Sequence, residues 1–415
     1  MSAIEFNLKH FVRHKKWNGI SRTGVTGLIA LGLLAGTTAV SVAQAPSARA
    51  SKPVPDSKAS GDAPDDPGPL ATDISAAMKP AAIQHVVKKV AAWQVKVAEP
   101  TFNRLWTYAA MYDGLLAASK ATGDPAFRDA VLKYSEEEKW LLIDNRFPHA
   151  DDEAMGKAYM DLYLGDAKSA RKLVRMANTK EVMDRLVARP DDPKKLVWWW
   201  CDALYMAPPV LAQMYAATGD KKYLDYMDHE WWLTSATLYN QTDHLYFRDE
   251  RYLTQKQANG KNLYWSRGNG WVMGGLVKVL EIMPKNYPTR AKYVEQFKQM
   301  AEEVKAIQGE DGLWRSGLLD PGAYELPEVS GSAFFTYAIA YGINEHILDR
   351  KTYLPVVEKS WAGMLKHVYA DGRLGSIQPV DAQPGKFKPS SSHVYGVGGF
   401  LMAGYEMNRL AGGKK

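Results

Sequence analysis

Six times along this chain a cluster of polar and aromatic residues leads into a helix-forming run rich in Ala, Gly, Met and Tyr. The six openings read FNRLWTYAAMYDGLLAA, HADDEAMGKAYMDLYLG, WWCDALYMAPPVLAQMYAA, WSRGNGWVMGGLVKVL, VSGSAFFTYAIAYG and SSSHVYGVGGFLMAGYEM. A glycine stop and a more ordinary amphipathic helix follow, most clearly at ATGDPAF (121–127) and ATGDKKY (217–223), more loosely at YLGDAKS and YGINEHI. Glycine there supplies the left-handed residue that ends a helix, and the next Asp can cap the following one. The openings recur at roughly 55–60 residues, the length of two helices with their loops. Strand signals are weak, whereas helical apolar spacing recurs in AAIQHVVKKVAAWQVKVA and AKYVEQFKQMAEEVKAI. Small residues suit a crowded centre, so the first helix of each pair is expected inside and the second outside. The pattern predicts an all-α protein, an (α/α)6 barrel of six helical hairpins.

Residues 1–50 and 51–73 fall outside that pattern. A basic stretch (Lys9, Arg13, Lys15, Lys16, Arg22) precedes the apolar run VTGLIALGLLAGTTAVSVA and the small-residue sites Ala43-Gln44-Ala45 and Ala48-Arg49-Ala50. This is the layout of a secretory signal peptide, with cleavage expected after Ala50 because the earlier site would leave Pro46 first. The chain is therefore expected in the periplasm or outside the cell, without a membrane anchor once cut. Residues 51–73 are rich in Pro, Ser, Asp and Gly and read as a flexible linker, leaving 74–415 for the barrel. Removing six basic and one acidic residue with the leader leaves 46 Lys and Arg against 45 Asp and Glu, so the apparent charge of +6 belongs mostly to targeting. No basic stripe with interleaved aromatics remains to bind nucleic acid. The single Cys201 excludes an intramolecular disulfide.

If the inner helices run the same way, their openings meet at one mouth, and Gly268 and Gly270 allow close backbone approach there. That mouth would gather Trp106, Trp200, Tyr205, Trp265, Trp271 and Tyr395, the carboxylates Asp151, Asp152 and Asp202, and Arg248 and Arg267. Aromatic faces stack on sugar rings, while carboxylates and guanidinium groups bind hydroxyls and anions, so the inventory points to carbohydrate. His149, His244 and His393 lack metal-ligand spacing, and there is no nucleophile elbow or phosphate loop, so neither a metal nor another cofactor is expected. Asp202 is the strongest acid candidate: burial beside Trp200 and a second carboxylate would raise its proton affinity, although a plain helix cap is the bland alternative. Asp151 and Asp152 open the preceding inner helix, one of them expected to cap and the other to face substrate.

The segments WSRGNGW, WCDALYM, HADDEAMGKAYMDLY, SGSAFFTYAIAYGIN and YGVGGFLMAGYEM, in this order over about residues 80–410, resemble glycoside hydrolase family 105, the unsaturated rhamnogalacturonyl hydrolases, with family 88 more distant. The resemblance implies a barrel that removes an unsaturated uronic acid from the non-reducing end of oligosaccharides made by lyases. It implies Asp202 as the catalytic carboxylate, Trp200 as its aromatic neighbour, Arg267 and Trp271 as a binding pair and Asp151 as the second active-site Asp. Trp106, Tyr205, Asp152 and His393 join Arg248 as further candidates for holding the sugar. Where many members carry a histidine, this chain has Arg248 in HLYFRDERY, a residue suited to a carboxylate or sulfate. The implied chemistry is hydration of the enol ether. A sugar epimerase, a hydrolase of saturated glycans and a glycan-binding protein without catalysis are the competing readings.

Overall fold

The structure, a computed structural model, describes residues 60–192 and 195–413. In chain order the helices are α1 (Pro80–Ala98), α2 (Trp106–Thr122), α3 (Pro125–Glu137), α4 (Ala150–Glu153), α5 (Gly156–Gly165), α6 (Val174–Val187) and α7 (Ala203–Met206). There follow α8 (Pro208–Thr218), α9 (Lys222–Leu238), α10 (Ser266–Ile282), α11 (Arg290–Ala306), α12 (Val329–Asn344), α13 (Arg350–Leu365) and α14 (Val394–Leu410). The inner ring closes in the order α2, α5, α8, α10, α12, α14 and back to α2, each packing on the next. Outside it, α3, α6, α9, α11 and α13 each cover the inner helix that precedes them. This is the expected (α/α)6 barrel. The sixth pair differs from the inner-then-outer repeat: α14 is covered by α1, so the ring closes between the first and last helices of the described residues.

The expected stops are where the sequence puts them. Gly123 and Gly219 adopt φ of 72° and 74°, and their N–H groups bond back to Ser119 and Tyr215. Asp124 then caps α3 through the Ala126 N–H at 3.1 Å, ahead of Pro125. Small residues bring the inner helices together most closely at the α2–α14 seam, where a Cβ on Gly398 would lie 2.2 Å from the Ala110 carbonyl oxygen. The third inner helix is split at Ala207-Pro208-Pro209, because Pro208 has no N–H to offer the Leu204 carbonyl one turn back. Gly275 of α10 packs against that freed carbonyl, 2.3 Å from where its Cβ would stand. The break sets the one-turn α7, which follows Asp202, apart from α8.

Residues 60–73 are not a loose linker. Strand β1 (Gly61–Asp62) pairs antiparallel with β4 (Ser392–His393) ahead of α14, Ala71 donates to the Val368 carbonyl at 2.9 Å, and Ser390 Oγ to that of Pro64 at 2.6 Å. The segment's one large apolar residue, Leu70, is exposed, and the segment is held instead by its backbone and by Asp62, which takes the Arg373 guanidinium. A second short pair, β2 (Tyr239–Asn240) with β3 (Leu245–Tyr246), leads toward Arg248. The expected signal peptide and the first part of the expected linker lie outside the described residues.

Candidate active site

All six openings meet at one end. Trp106 stacks on Tyr395 at 5.4 Å and meets Trp271 edge-on at 5.9 Å; His149 lies against Trp200 at 4.7 Å. A Cβ on Gly268 would sit 3.2 Å from Cys201 Sγ and 3.5 Å from Asp202 Oδ1, so the RGNGW segment presses on the third opening. Gly331 of the fifth packs in the same way on Ser266.

Two carboxylates face this mouth, each with an arginine before it and a second carboxylate behind. Asp202 is buried, with its Oδ2 3.3 Å from Arg248 Nε; Arg248 Nη1 lies 2.7 Å from Asp249. Asp249 also receives the backbone N–H of Arg251 at 3.0 Å and its Nε and Nη2 at 2.8 Å each. In the second set Arg146 Nη2 approaches Asp151 Oδ2 at 3.9 Å and is gripped from behind by Asp152. Asp152 further accepts Arg146 Nε at 2.9 Å and the N–H groups of Asn145 and Arg146 at 3.1 and 2.9 Å. Neither Asp151 nor Asp152 caps α4; His149 does, accepting the Asp151 N–H at 3.3 Å. Asp152, at 2% exposure, is fully engaged in holding the turn before α4, which leaves Asp151 to face the mouth.

Their surroundings raise their affinity for a proton. Burial pushes Asp151 up to about 7, with Asp202 and Asp152 adding to the push and Arg146 opposing it. Burial also raises Asp202, opposed by Arg248 and Arg267, and Asp202 receives no capping bond from α7. The bland cap reading therefore fails for Asp202. Asp249 goes the other way: against burial, the bonds from Arg251 and Arg248 hold it below the usual carboxylate range. Burial lowers His149 and His393 to about 4, Arg146 and Arg267 adding to it, so both imidazoles are neutral at pH 7.

The remaining predicted residues divide by depth. Trp106 is half-buried at the rim, and Trp200 and Trp271 line the wall with 3% and 1% exposure. Arg267 is fully buried: Nη1 and Nη2 donate to the carbonyls of Gln378 and Pro379 at 2.7 and 2.8 Å, and its plane lies over Trp265 and Tyr395. Its charge reaches the site as a field. Tyr205 lies beneath Trp271 with its hydroxyl 2.7 Å from Asp113, turned away from the mouth. His393 stacks on Tyr395 at 5.6 Å under the β1 strap.

Four residues escaped the sequence reading. Trp199, 44% exposed beside Trp200, carries Arg248 over its ring at 5.5 Å, and the pattern of an exposed Trp in WWW was a usable signal. Asp249 and Arg146 are anchors of the two arginine sets. Glu328, fully buried, accepts the N–H groups of Ser330, Gly331 and Gln378 at 3.2, 2.6 and 3.0 Å, fixing the Gln378 carbonyl that Arg267 and the Tyr395 hydroxyl share. No local motif announces such a long-range anchor.

Comparison with known proteins agrees with the fold. The sequence model of Glycosyl Hydrolase Family 88 matches residues 77–411. An unsaturated 3S-rhamnoglycuronyl hydrolase of Formosa agariphila is 37% identical over 342 residues, 78% of this chain and 90% of the relative. The solved family 88 glycosyl hydrolase from Bacteroides vulgatus superposes with a TM-score of 0.74 at 30% identity, over 80% of this chain and 99% of its own. A solved polysaccharide lyase gives 0.75 at 30% identity, over 81% and 99%. Structures of family 105 share the fold at lower identity. With the family model spanning the whole barrel and relatives above 30% identity along most of its length, the chain belongs to glycosyl hydrolase family 88 and is a glycosidase.

Proposed function

We propose that this glycosidase removes a 4,5-unsaturated uronic acid from the non-reducing end of lyase-generated oligosaccharides, by hydrating the enol ether of that sugar. The observation that carries the reading is the pair Asp202 and Asp151: two carboxylates at one mouth, both with raised proton affinity, with aromatic walls around them. Asp202 donates its proton to C4, and oxocarbenium character develops at C5. Water then adds at C5, losing a proton to the Asp202 carboxylate. The resulting hemiketal opens and releases the rest of the glycan. No glycosyl-enzyme intermediate forms, so the carboxylate separation that distinguishes ordinary glycosidases does not govern the outcome. Trp106, Trp200 and Trp271 supply the walls, and Arg248 the contact for a substrate oxyanion. The name of the Formosa agariphila relative supports a rhamnoglycuronyl substrate.

The polysaccharide lyase among the structural matches favours a second reading, elimination. The sign of one signal separates them. Incubated with lyase digests, the hydrolase consumes the enol ether and its ultraviolet absorbance falls; a lyase acting on intact glycan makes that chromophore and the absorbance rises. In heavy water, hydration places deuterium at C4 of the released sugar, detectable by NMR. A product without deuterium at C4 would falsify the mechanism.

The leader and the near-neutral remainder support export to the periplasm or beyond. Cleavage after Ala50 leaves a short lead into the β1 strap, and sequencing the N-terminus of the exported protein should read Ser51. Among the described residues no helix is long and apolar enough to cross a membrane.

A further inference from the structure

Resting on the hydration reading is a difficulty that the geometry itself resolves. Asp202 has to be protonated to act, yet in this structure it faces Arg248, the partner most favourable to its ionised form. Arg267 acts in the same sense from α10, but its guanidinium is fixed on the Gln378 and Pro379 carbonyls and cannot leave. Asp151 on α4 and Asp249 oppose them; the buried Cys201 thiol, whose Sγ stands 3.6 Å from Asp202 Oδ1, donates to that carboxylate and favours its anion, but as the preceding residue it stays beside it; His149 is neutral, and Arg146 is held by Asp152. Of the charges around Asp202, Arg248 is the one with somewhere else to go.

Three features equip it to move. Its two ends are on different carboxylates, Nε on Asp202 at 3.3 Å and Nη1 on Asp249 at 2.7 Å, so the longer bond breaks first. Asp249 is anchored independently by Arg251 and stays in place when Arg248 turns. Its side chain is 15% exposed and lies over Trp199, which itself faces solvent, so an anion entering the mouth meets the guanidinium.

We infer that Arg248 is a substrate-operated latch on Asp202: an oxyanion of the bound sugar draws Nε off Asp202 while Nη1 stays on Asp249, and Asp202 takes up its proton only in the complex. Asp249 is then a positioning residue. The latch ties proton donation to the presence of an anionic substrate, so a neutral enol ether that enters the site meets an ionised Asp202. Two groups share the required chemistry, the uronate carboxylate and a sulfate ester on the neighbouring sugar.

The test is the pH dependence of the wild-type enzyme and of Arg248→Met on sulfated, desulfated and uronyl-methyl-ester forms of one unsaturated disaccharide. Loss of the acid proton gives a falling alkaline limb, reporting the free enzyme in kcat/KM and the complex in kcat. The latch requires the wild-type limb in kcat to lie at least about one pH unit above that in kcat/KM, and Arg248→Met to bring the two together. Asp249→Asn should narrow the gap in the same direction, and Arg248→Lys should restore part of it. A gap kept on the desulfated substrate and lost on the methyl ester assigns the carboxylate; a gap kept only with sulfate assigns the ester. Coincident limbs in the wild type on every substrate, or an unchanged gap in Arg248→Met, overturn the latch while leaving hydration standing. Absorbance that stays constant on every form of the disaccharide, or that rises on the intact glycan, in contrast overturns the hydration reading itself.

Discussion

The barrel buries charge at both ends of its axis, and treats it differently. Deep between the inner helices, Asp113 accepts the Tyr205 hydroxyl at 2.7 Å and lies 3.9 Å from Lys157 Nζ and 3.6 Å from Lys278 Nζ. Lys278 reaches Asp161 at 3.7 Å, and Gln213 donates to Asp161 at 2.6 Å. Each carboxylate there has cations or donors delivered by a helix, and burial lowers Lys157 only to about 8 because Asp113 and Asp161 oppose it. At the mouth Asp151 has Arg146 no nearer than 3.9 Å, Arg248 farther off and a neutral His149, it accepts no N–H bond among the described residues, and burial carries its proton affinity to about 7. Burial alone is therefore no mark of function in this molecule. Incomplete pairing at a place reached by substrate is the mark, and neighbouring residues can fall on either side of it, as Asp151 and Asp152 do.

This contrast can be broken most directly at Asp202. Asp202→Asn keeps the size but removes the acid, so kcat should fall by about 10² to 10⁴-fold with circular dichroism and melting unchanged. Full activity in a folded Asp202→Asn protein would remove the mouth from the mechanism. Asp113→Asn should do the reverse. It leaves Lys157 and Lys278 without their shared counter-charge, a loss of about 3–5 kcal/mol in urea unfolding, while kcat per folded molecule changes little.

Arg248→Ala comes next in size. Loss of a charge-assisted contact should lower kcat/KM by about 1.5–3 kcal/mol equivalent, mainly through KM, read by steady-state kinetics on the sulfated and desulfated pair. The smallest effect sharpens the contrast through pH. Asp151 has a folded-state pKa raised above its unfolded value near 3.8, so its contribution to stability is full below that value and is lost as pH rises to about 7. Asp151→Asn should therefore gain on the wild type in chemical denaturation between pH 4 and 7 and hold a constant advantage above it. A difference that grows as pH falls would mean that Asp151 is stabilised as the anion.

The fold was legible because its punctuation is local. Gly123, Gly219 and the Ala- and Gly-rich openings announce helix ends and close packing within a few residues of sequence, and the convergence of Asp202 with Gly268 follows from all inner helices running one way. What stayed hidden depends on partners distant in the chain. Arg267 reads as a substrate clamp until Gln378 and Pro379 are seen to occupy it, and Asp151 cannot be told from Asp152 until Arg146 chooses between them. The 60–73 strap looked like a linker because Gly, Pro and Asp are judged by their lack of apolar surface, and its hold on the barrel is made by backbone pairing and by Asp62 with Arg373.

The pairing of α1 with α14 sets an order of assembly. Five hairpins are built from helices adjacent in sequence and can form as soon as each is made, since their loops are short and close at little entropic cost. The sixth joins segments about 300 residues apart, and α14 also completes the seam with α2 and places Tyr395 beside Arg267. Until that last helix docks, the barrel is an open arc with an exposed small-residue seam. Contacts of such long sequence separation form late and slowly. The mouth is thus finished by the same event that shuts the ring, and a chain stopped short of α14 would carry Asp202 and Arg248 on an arc that lacks one wall of the site.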